Sequence, residues 1–184
     1  MGNFAQGTIK LHGKIDNIYR FFKDYLEYHV VDVGHVNADV QMDPGRFWVK
    51  VSYRRNYPPD PCSYSFGVKD TWAAIMPIKY WLEDYCGDYK PSLIDKSLSV
   101  DCDDPDEDVV FVGRYSEKYG LETSFWEKMS EKYDLDIRIY VVESGNGWTE
   151  LVTILKGKKT QDQLTAYESY DSFVWNVAFP YLGG

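Results

Sequence analysis

The chain lacks the sequence patterns of the common enzyme classes. It contains no GxSxG elbow, no phosphate-cradling glycine loop and no HExxH pair, so the usual hydrolase, P-loop and zinc-protease sites are not expected. Its histidines are His12, His29 and His35. Two of them lie near Asp32 and Asp39, a combination that could hold a metal, but isolated histidines are more often structural. We therefore expect no catalytic residues, no metal and no cofactor.

Long apolar runs and paired cysteines are also missing. No stretch approaches the roughly 18 apolar residues of a membrane-spanning helix, and no basic-then-apolar leader follows Met1,. The cysteines, Cys62, Cys86 and Cys102, are odd in number and form no CxxC pair, which is typical of reduced thiols. These absences predict a cytoplasmic protein without a membrane partner.

What the chain does contain is a series of segments with the periodicity of strands and helices. Helices are predicted at 16–27, with Asp16 as N-cap, and at 124–133, with Ser124 opening a capping box,. The turn Ser144-Gly145-Asn146-Gly147 predicts a hairpin, because Asn and Gly tolerate positive φ,. Alternating apolar residues predict strands at 8–12, 46–53, 136–143 and 148–155, and a β-branched and aromatic run predicts a strand at 109–113,.

This order predicts one α+β domain over residues 1–184, with a ferredoxin-like (split βαβ), mostly antiparallel sheet and both helices on one face. Residues 57–108 are predicted to be an inserted acidic helical segment outside the core, with a helix from Asp70 through Leu82. A further helix is expected at 160–170, and 173–179 is expected to be a last strand or a buried apolar segment. The predicted core joins Phe21, Phe22, Leu26, Phe125, Trp126 and Met129 to Ile9, Leu11, Val49, Val51, Ile139 and Val141.

Negative charge is unevenly distributed along the chain. The formal net charge is −9, and the segment 83–108 carries ten acidic residues against two lysines. An EF-hand is excluded, since Asp106 stands where the loop needs Gly and Val112 where it needs Glu,. Three interpretations stay open: a solvated linker, a looser cation site, and a contact surface for a basic partner. Direct nucleic-acid binding is disfavoured by the net charge, and only the basic strand at 46–55 argues for it.

For the third interpretation, the acidic side chains imitate the charge of a nucleic-acid backbone and neighbouring aromatic residues serve as anchors. The predicted partner-binding residues are Tyr80, Trp81, Glu83, Asp84, Tyr85, Asp88, Tyr89, Asp101, Asp103, Asp104, Asp106, Glu107 and Asp108.

Three short motifs resemble the YubB-type ferredoxin-like family of phage and plasmid proteins. They are Met1-Gly2-Asn3-Phe4 with the strand at 7–11, the helix entry Glu122-Thr123-Ser124-Phe125-Trp126, and the turn Glu143-Ser144-Gly145-Asn146-Gly147-Trp148. The resemblance covers residues 1–28 and 109–159. The chain departs from the family in three ways. It has Phe4-Ala5 where the family has Trp-Cys, it lacks the prolines that follow the tryptophan at the position of Trp126, and it carries a large acidic insertion in the middle. The resemblance implies a fold and a setting in mobile genetic elements, and it brings no catalytic residues.

Two functional hypotheses follow. The first is a non-enzymatic protein of a phage or mobile element, in the cytoplasm of a bacterial host. It would inhibit a nucleic-acid-handling defence system, of anti-CRISPR or anti-restriction type, by occupying the basic groove of a host nuclease or CRISPR effector. The second is a small enzyme or ligand-binding protein that uses an aromatic-lined cleft between the sheet and the insertion.

Overall fold

The computed structural model describes residues 4–27, 67–75, 108–169, 172, 173 and 176 in full, and the backbone alone of the strand residues 28–30, 36–43, 46–53, 64–66, 76–77 and 94–98. The helices are α1 (Ile15–Tyr25) and α2 (Thr123–Tyr133). The strands are β1 (Phe4–Lys14), β2 (Leu26–Val30), β3 (Val36–Asp43), β4 (Arg46–Tyr53), β5 (Tyr64–Val68), β6 (Ala73–Pro77), β7 (Ile94–Leu98), β8 (Asp108–Lys118), β9 (Asp136–Glu143), β10 (Trp148–Leu155) and β11 (Lys158–Ala166).

An antiparallel sheet of eight strands carries both helices. Its strand order is β11-β10-β9-β1-β8-β6-β5-β2. Strand β1 pairs antiparallel with β8 on one side and with β9 on the other, so β8 and β9 run parallel to each other and α2 connects them. The α+β class, the antiparallel sheet and the hairpin of β9 and β10 are confirmed.

A second, three-stranded sheet has the order β3-β4-β7. The strand predicted at 46–53 is present as β4, but its predicted place in the main sheet is wrong, because it pairs with β3 and β7. Alternation along a strand shows which residues share a face and says nothing about which strand lies beside it. The predicted core positions Val49 and Val51 lie outside the residues whose side chains are described.

The core lies between the main sheet and the two helices. Strand β1 buries Ile9 and Leu11 on the helix side, and α1 and α2 meet through Phe21 and Trp126, whose ring centroids are 6.0 Å apart. Tyr25 also contacts α2. Both helices therefore pack on the same face, as predicted. Among the predicted core residues, Phe21, Phe22, Phe125, Trp126, Met129, Ile9, Leu11, Ile139 and Val141 are buried, and Leu26 is partly buried.

Part of the predicted insertion belongs to this core. Strands β5 and β6 lie within the eight-stranded sheet, and Val68, Ala73 and Ile75 are buried in the core, so the expectation that all of 57–108 lies outside it is wrong. The predicted helix from Asp70 is also wrong at its start. Asp70 has a φ of 63° in the turn between β5 and β6, and Ala73–Pro77 pairs with β8 as a strand. Backbone pairing with β8 overrides the helical spacing of the apolar residues. The rest of that predicted helix lies outside the described residues.

The predicted helix N-caps, Asp16 and Ser124, are each wrong by two residues, because the N-caps are Lys14 and Glu122. Helix α1 starts at Ile15, so Asp16 lies in its first turn, and no side chain caps the helix. Helix α2 starts at Thr123 with Glu122 as N-cap and again no side-chain cap bond. Asp16 lies at the positive end of the helix dipole, where a carboxylate is stabilising without a direct bond.

The C-terminal predictions are corrected in part. Residues 158–166 form β11, which pairs antiparallel with β10 and has a register shift between Thr153 and Ile154, where a helix was expected at 160–170. Helix propensity is a weak guide that tertiary context overrides, and here pairing with the neighbouring strand β10 decides the structure,. Phe173 is buried against Val142 and packs on Tyr167, with ring centroids 5.6 Å apart. The buried apolar segment is therefore confirmed at Phe173, which is helical and not part of a strand.

Candidate functional site

The predicted partner-binding surface lies almost entirely outside the described residues. Of its members only Asp108 is described: it is exposed at the first position of β8, opposite Lys14. The surface formed by Tyr80, Trp81, Glu83, Asp84, Tyr85, Asp88, Tyr89, Asp101, Asp103, Asp104, Asp106 and Glu107 therefore stays a prediction.

A different site is present on the helix side of the main sheet. An open groove of about 600 Å³ lies at the end of the sheet where β8 leads into α2. Its aromatic lining residues are Trp72, Tyr119 and Trp148, and its carboxyl groups belong to Glu117, Glu122 and Glu150.

Strand alternation brings two of these carboxyl groups into the groove. In β8, Phe111 and Tyr115 point to the core, so Glu117 follows them onto the same face. In β10, Glu150 shares its face with the buried Val152 and Ile154. Helix α2 begins only at Thr123, after the loop that lines one side of the groove, so the groove stays open at this end of the helix layer.

Glu117 receives an ordered set of hydrogen bonds. The Trp126 indole N–H donates to the Tyr115 hydroxyl over 3.0 Å, and that hydroxyl donates to Oε2 of Glu117 over 2.6 Å. The backbone N–H of Glu122 donates to the same oxygen over 3.3 Å. No described residue donates a hydrogen bond to Oε1, although Glu117 is only 2% exposed.

Burial makes the carboxyl group of Glu117 a weaker acid than usual. Removal from water raises its pKa to about 7, against an ordinary value of 4.5, and the nearby carboxylates of Glu122 and Glu150 add to the rise,. The hydrogen bonds from Tyr115 and from the backbone of Glu122 act in the opposite direction. Burial also raises the pKa of Glu150. The groove thus contains a carboxyl group that changes charge near neutral pH.

The rim of the groove exposes aromatic rings around a lysine. Trp72 is 69% exposed and Tyr119 is 73% exposed, and the Lys118 ammonium lies 5.4 Å from the first ring centroid and 4.7 Å from the second. These distances are typical of cation–π contacts. Large aromatic side chains left exposed beside a groove are typical of a binding surface.

The sequence analysis missed Glu117 and Glu150, although a signal for both was present. The strand predicted at 109–113 continues to Lys118, and alternation from Phe111 places Tyr115 and then Glu117 on the buried face. The same alternation from Val152 points to Glu150. A carboxylate on the apolar side of a strand is the pattern that would have identified the groove.

No family model, no curated protein and no solved structure matches the chain. Within the described part of the chain, no three His, Cys, Asp or Glu side chains are grouped closely enough to hold a metal ion. In the same part, no helix combines the length and the apolar character needed to cross a bilayer.

Proposed function

We propose that the protein is a binding protein whose groove holds a positively charged group on an apolar body, such as an alkylammonium or a guanidinium. The proposal rests on one observation: the carboxyl groups of Glu117 and Glu150 line the same groove as several aromatic side chains. Carboxylates attract a cation through its charge, and aromatic faces attract it through the ring quadrupole while covering its apolar part.

The charge of the lining supports a cation over an anion. Three carboxyl groups, of Glu117, Glu122 and Glu150, stand against the single ammonium of Lys118. When Glu117 is ionised, above its pKa of about 7, the groove carries an excess of two negative charges. The ammonium of Lys118, which already lies over Trp72 and Tyr119, is an internal example of the contact that the ligand would make.

The finer fold assignment is part of the proposal. Strands β8 and β9 flank β1 and are joined by α2, and this supports a split βαβ core of the ferredoxin-like class. We propose that β9, β1, β8 and β6 form the ferredoxin-like core and that β10 and β11 extend it at one edge, while β5 and β2 extend it at the other.

A second proposal is the inhibitor hypothesis, which the net charge of −9 and the acidic composition of 83–108 support. In it, a protein of a phage or mobile element binds a basic host nuclease or CRISPR effector in the bacterial cytoplasm. The two proposals are compatible, because a lysine or arginine side chain of such a partner has the chemistry expected of the groove ligand.

The test is a titration with n-butylammonium and arginine ethyl ester at pH 8, followed by the indole N–H signals of Trp72 and Trp148 in NMR spectra. We expect saturable shifts with a Kd of about 1 mM, as suits a ligand of this size. Affinity should fall from pH 8 to pH 6, because protonation of Glu117 removes one negative charge from the groove. Butanol and butyrate are the neutral and anionic controls.

Variants locate the binding. Glu150→Gln and Trp72→Ala should each weaken butylammonium binding several-fold, since one loses a charge and the other an aromatic face. Glu131→Gln is the matched control, because it removes the same charge from an exposed position at the other end of α2. Equal binding of butanol and butylammonium, or equal loss in the control, would contradict the proposal.

A further inference from the structure

The face of the main sheet that turns away from the helices carries a compact basic patch. Lys10 of β1 lies directly opposite Arg138 of β9. One row further along, Arg114 of β8 lies opposite Thr8, which in turn lies opposite Tyr140. We call Lys10, Arg114 and Arg138 the cation triad.

The triad adjoins a shallow depression in the sheet. A cavity of about 260 Å³ is lined by Thr8, Lys10, Arg138, Tyr140 and Leu151. The alternation of β1 and β9 fixes this face, because Ile9 and Ile139 between them are fully buried on the helix side,. Lys10 and Arg138 are exposed, so the depression opens to solvent between their charged groups.

The like charges of Lys10 and Arg138 are not neutralised within the described part of the chain. Directly opposed like charges in an antiparallel pair are destabilising, and no described carboxylate forms an ion pair with either residue. The acid closest along β9 is Asp136, whose carboxylate lies 3.4 Å from the His12 ring. An anion held between Lys10 and Arg138 would relieve the repulsion.

We propose that the cation triad and the depression beside it bind the phosphate group of a small phosphorylated molecule. Guanidinium groups match phosphate oxygens in pairs and an ammonium adds a point charge, while the hydroxyl of Thr8 at the floor can donate to a further oxygen. A phosphate group presents up to two negative charges to the opposed cations Lys10 and Arg138, which a carboxylate does not.

The net charge of the whole protein favours a small phosphorylated ligand over a long polyanion. With a net charge of −9, the chain repels a long polyanion over distances of about a Debye length, roughly 10 Å at 0.1 M salt. A single phosphate group meets the triad at contact distance, where local charges dominate. The site therefore suits a mononucleotide or another small phosphate ester better than a nucleic-acid strand.

This site is independent of the groove, and its test is separate. Inorganic phosphate, pyrophosphate and AMP are titrated into the protein in 50 mM NaCl at pH 7.5 while backbone amide signals are followed by NMR. We expect saturable shifts centred on Thr8, Lys10, Arg138 and Tyr140, and tighter binding of pyrophosphate than of phosphate. The Lys10→Gln/Arg138→Gln double variant should lose affinity about tenfold. Lys128→Gln, an exposed position on α2, should change it less than about twofold.

Several outcomes would overturn the proposal. They are shifts centred away from β1 and β9, unchanged affinity in the double variant with the amide spectrum of a folded protein, and equal affinity for acetate. Tighter binding of a hexa-aspartate peptide than of pyrophosphate would assign the patch to acidic protein segments instead. Tighter binding of a ten-nucleotide single strand than of AMP would overturn the preference for a small ligand.

Discussion

The raised pKa of Glu117 predicts how the stability of the protein changes with pH. Its carboxyl group has a pKa of about 7 in the folded protein against an ordinary value of 4.5, so the folded state binds the proton more tightly than the unfolded chain does. Between these two pH values the folded state holds more protons, and the free energy of unfolding must therefore fall as pH rises. Below pH 4.5 Glu117 is protonated and does not lower the free energy of unfolding. Above pH 7 it is ionised and lowers the free energy of unfolding by the full amount.

The size of the effect follows from the two pKa values. Each pH unit between them changes the free energy of unfolding by about 1.4 kcal/mol at most, which gives a total of about 3 kcal/mol. Glu117→Gln removes the ionisation while keeping an oxygen that can accept from Tyr115 and from the Glu122 N–H. The variant should therefore match the wild type near pH 4.5 and exceed its stability by up to about 3 kcal/mol at pH 8.

Urea denaturation from pH 4.5 to pH 8.5, followed by tryptophan fluorescence, measures this difference for both proteins. The other ionisable groups are common to both, so subtraction isolates Glu117. Glu131→Gln removes a carboxylate from an exposed helix position and serves as the control; its stability should differ from the wild type by a small amount. A difference for Glu117→Gln that stays constant across this pH range would refute the argument.

Two further substitutions test the packing that holds the site. Ser130→Ala should lower the free energy of unfolding by about 1–3 kcal/mol in urea denaturation, because the buried hydroxyl donates to the Leu135 carbonyl over 2.5 Å and accepts from the Gly157 N–H over 2.8 Å. Gly7→Ala should abolish cooperative unfolding, because the added Cβ would lie 1.8 Å from the backbone oxygen of Tyr140, which cannot move without breaking the pairing of β1 and β9.

Matched controls exist for both substitutions. Ser124→Ala removes a hydroxyl from an exposed position of the same helix as Ser130. Gly120→Ala adds a Cβ with no atom within 4 Å, at a φ of 107° that alone disfavours a side chain. Loss of stability in Ser124→Ala equal to that in Ser130→Ala would contradict the hydrogen-bond argument. A cooperatively folding Gly7→Ala protein would contradict the close approach of β1 to β9.

Local patterns predicted the elements that depend on local physics. The β9–β10 hairpin follows from alternating apolar residues around a Gly-Asn-Gly turn, and α2 follows from the apolar stripe of Phe125, Trp126 and Met129. Each of these features depends on residues that are close together in the sequence. Their interpretation needs no knowledge of which distant segment lies alongside.

Pairing between distant segments could not be predicted in the same way. Strand β6 lies beside β8 because Ala73 pairs with Glu117, which is far from it in the sequence. The candidate groove depends on such pairings, since Trp72, Glu117 and Glu150 come from three separate strands or their ends. The position of each carboxyl group on the buried face of its strand follows from the sequence of that strand. The proximity of Glu117 to Glu150 does not, because it depends on how the strands are arranged in the sheet.

The central position of β1 has a consequence for how the protein is made. Residues 4–14 leave the ribosome before either neighbour of β1, because β8 begins at Asp108 and β9 at Asp136. At roughly 5–20 residues per second, β1 waits about 5–20 s for its first partner. During synthesis its apolar face, which includes Ile9 and Leu11, depends on α1 or on a chaperone for protection. We therefore expect the pairing of β1 to be completed only after β9 has been synthesised, and fragments that stop before β8 to be prone to aggregation.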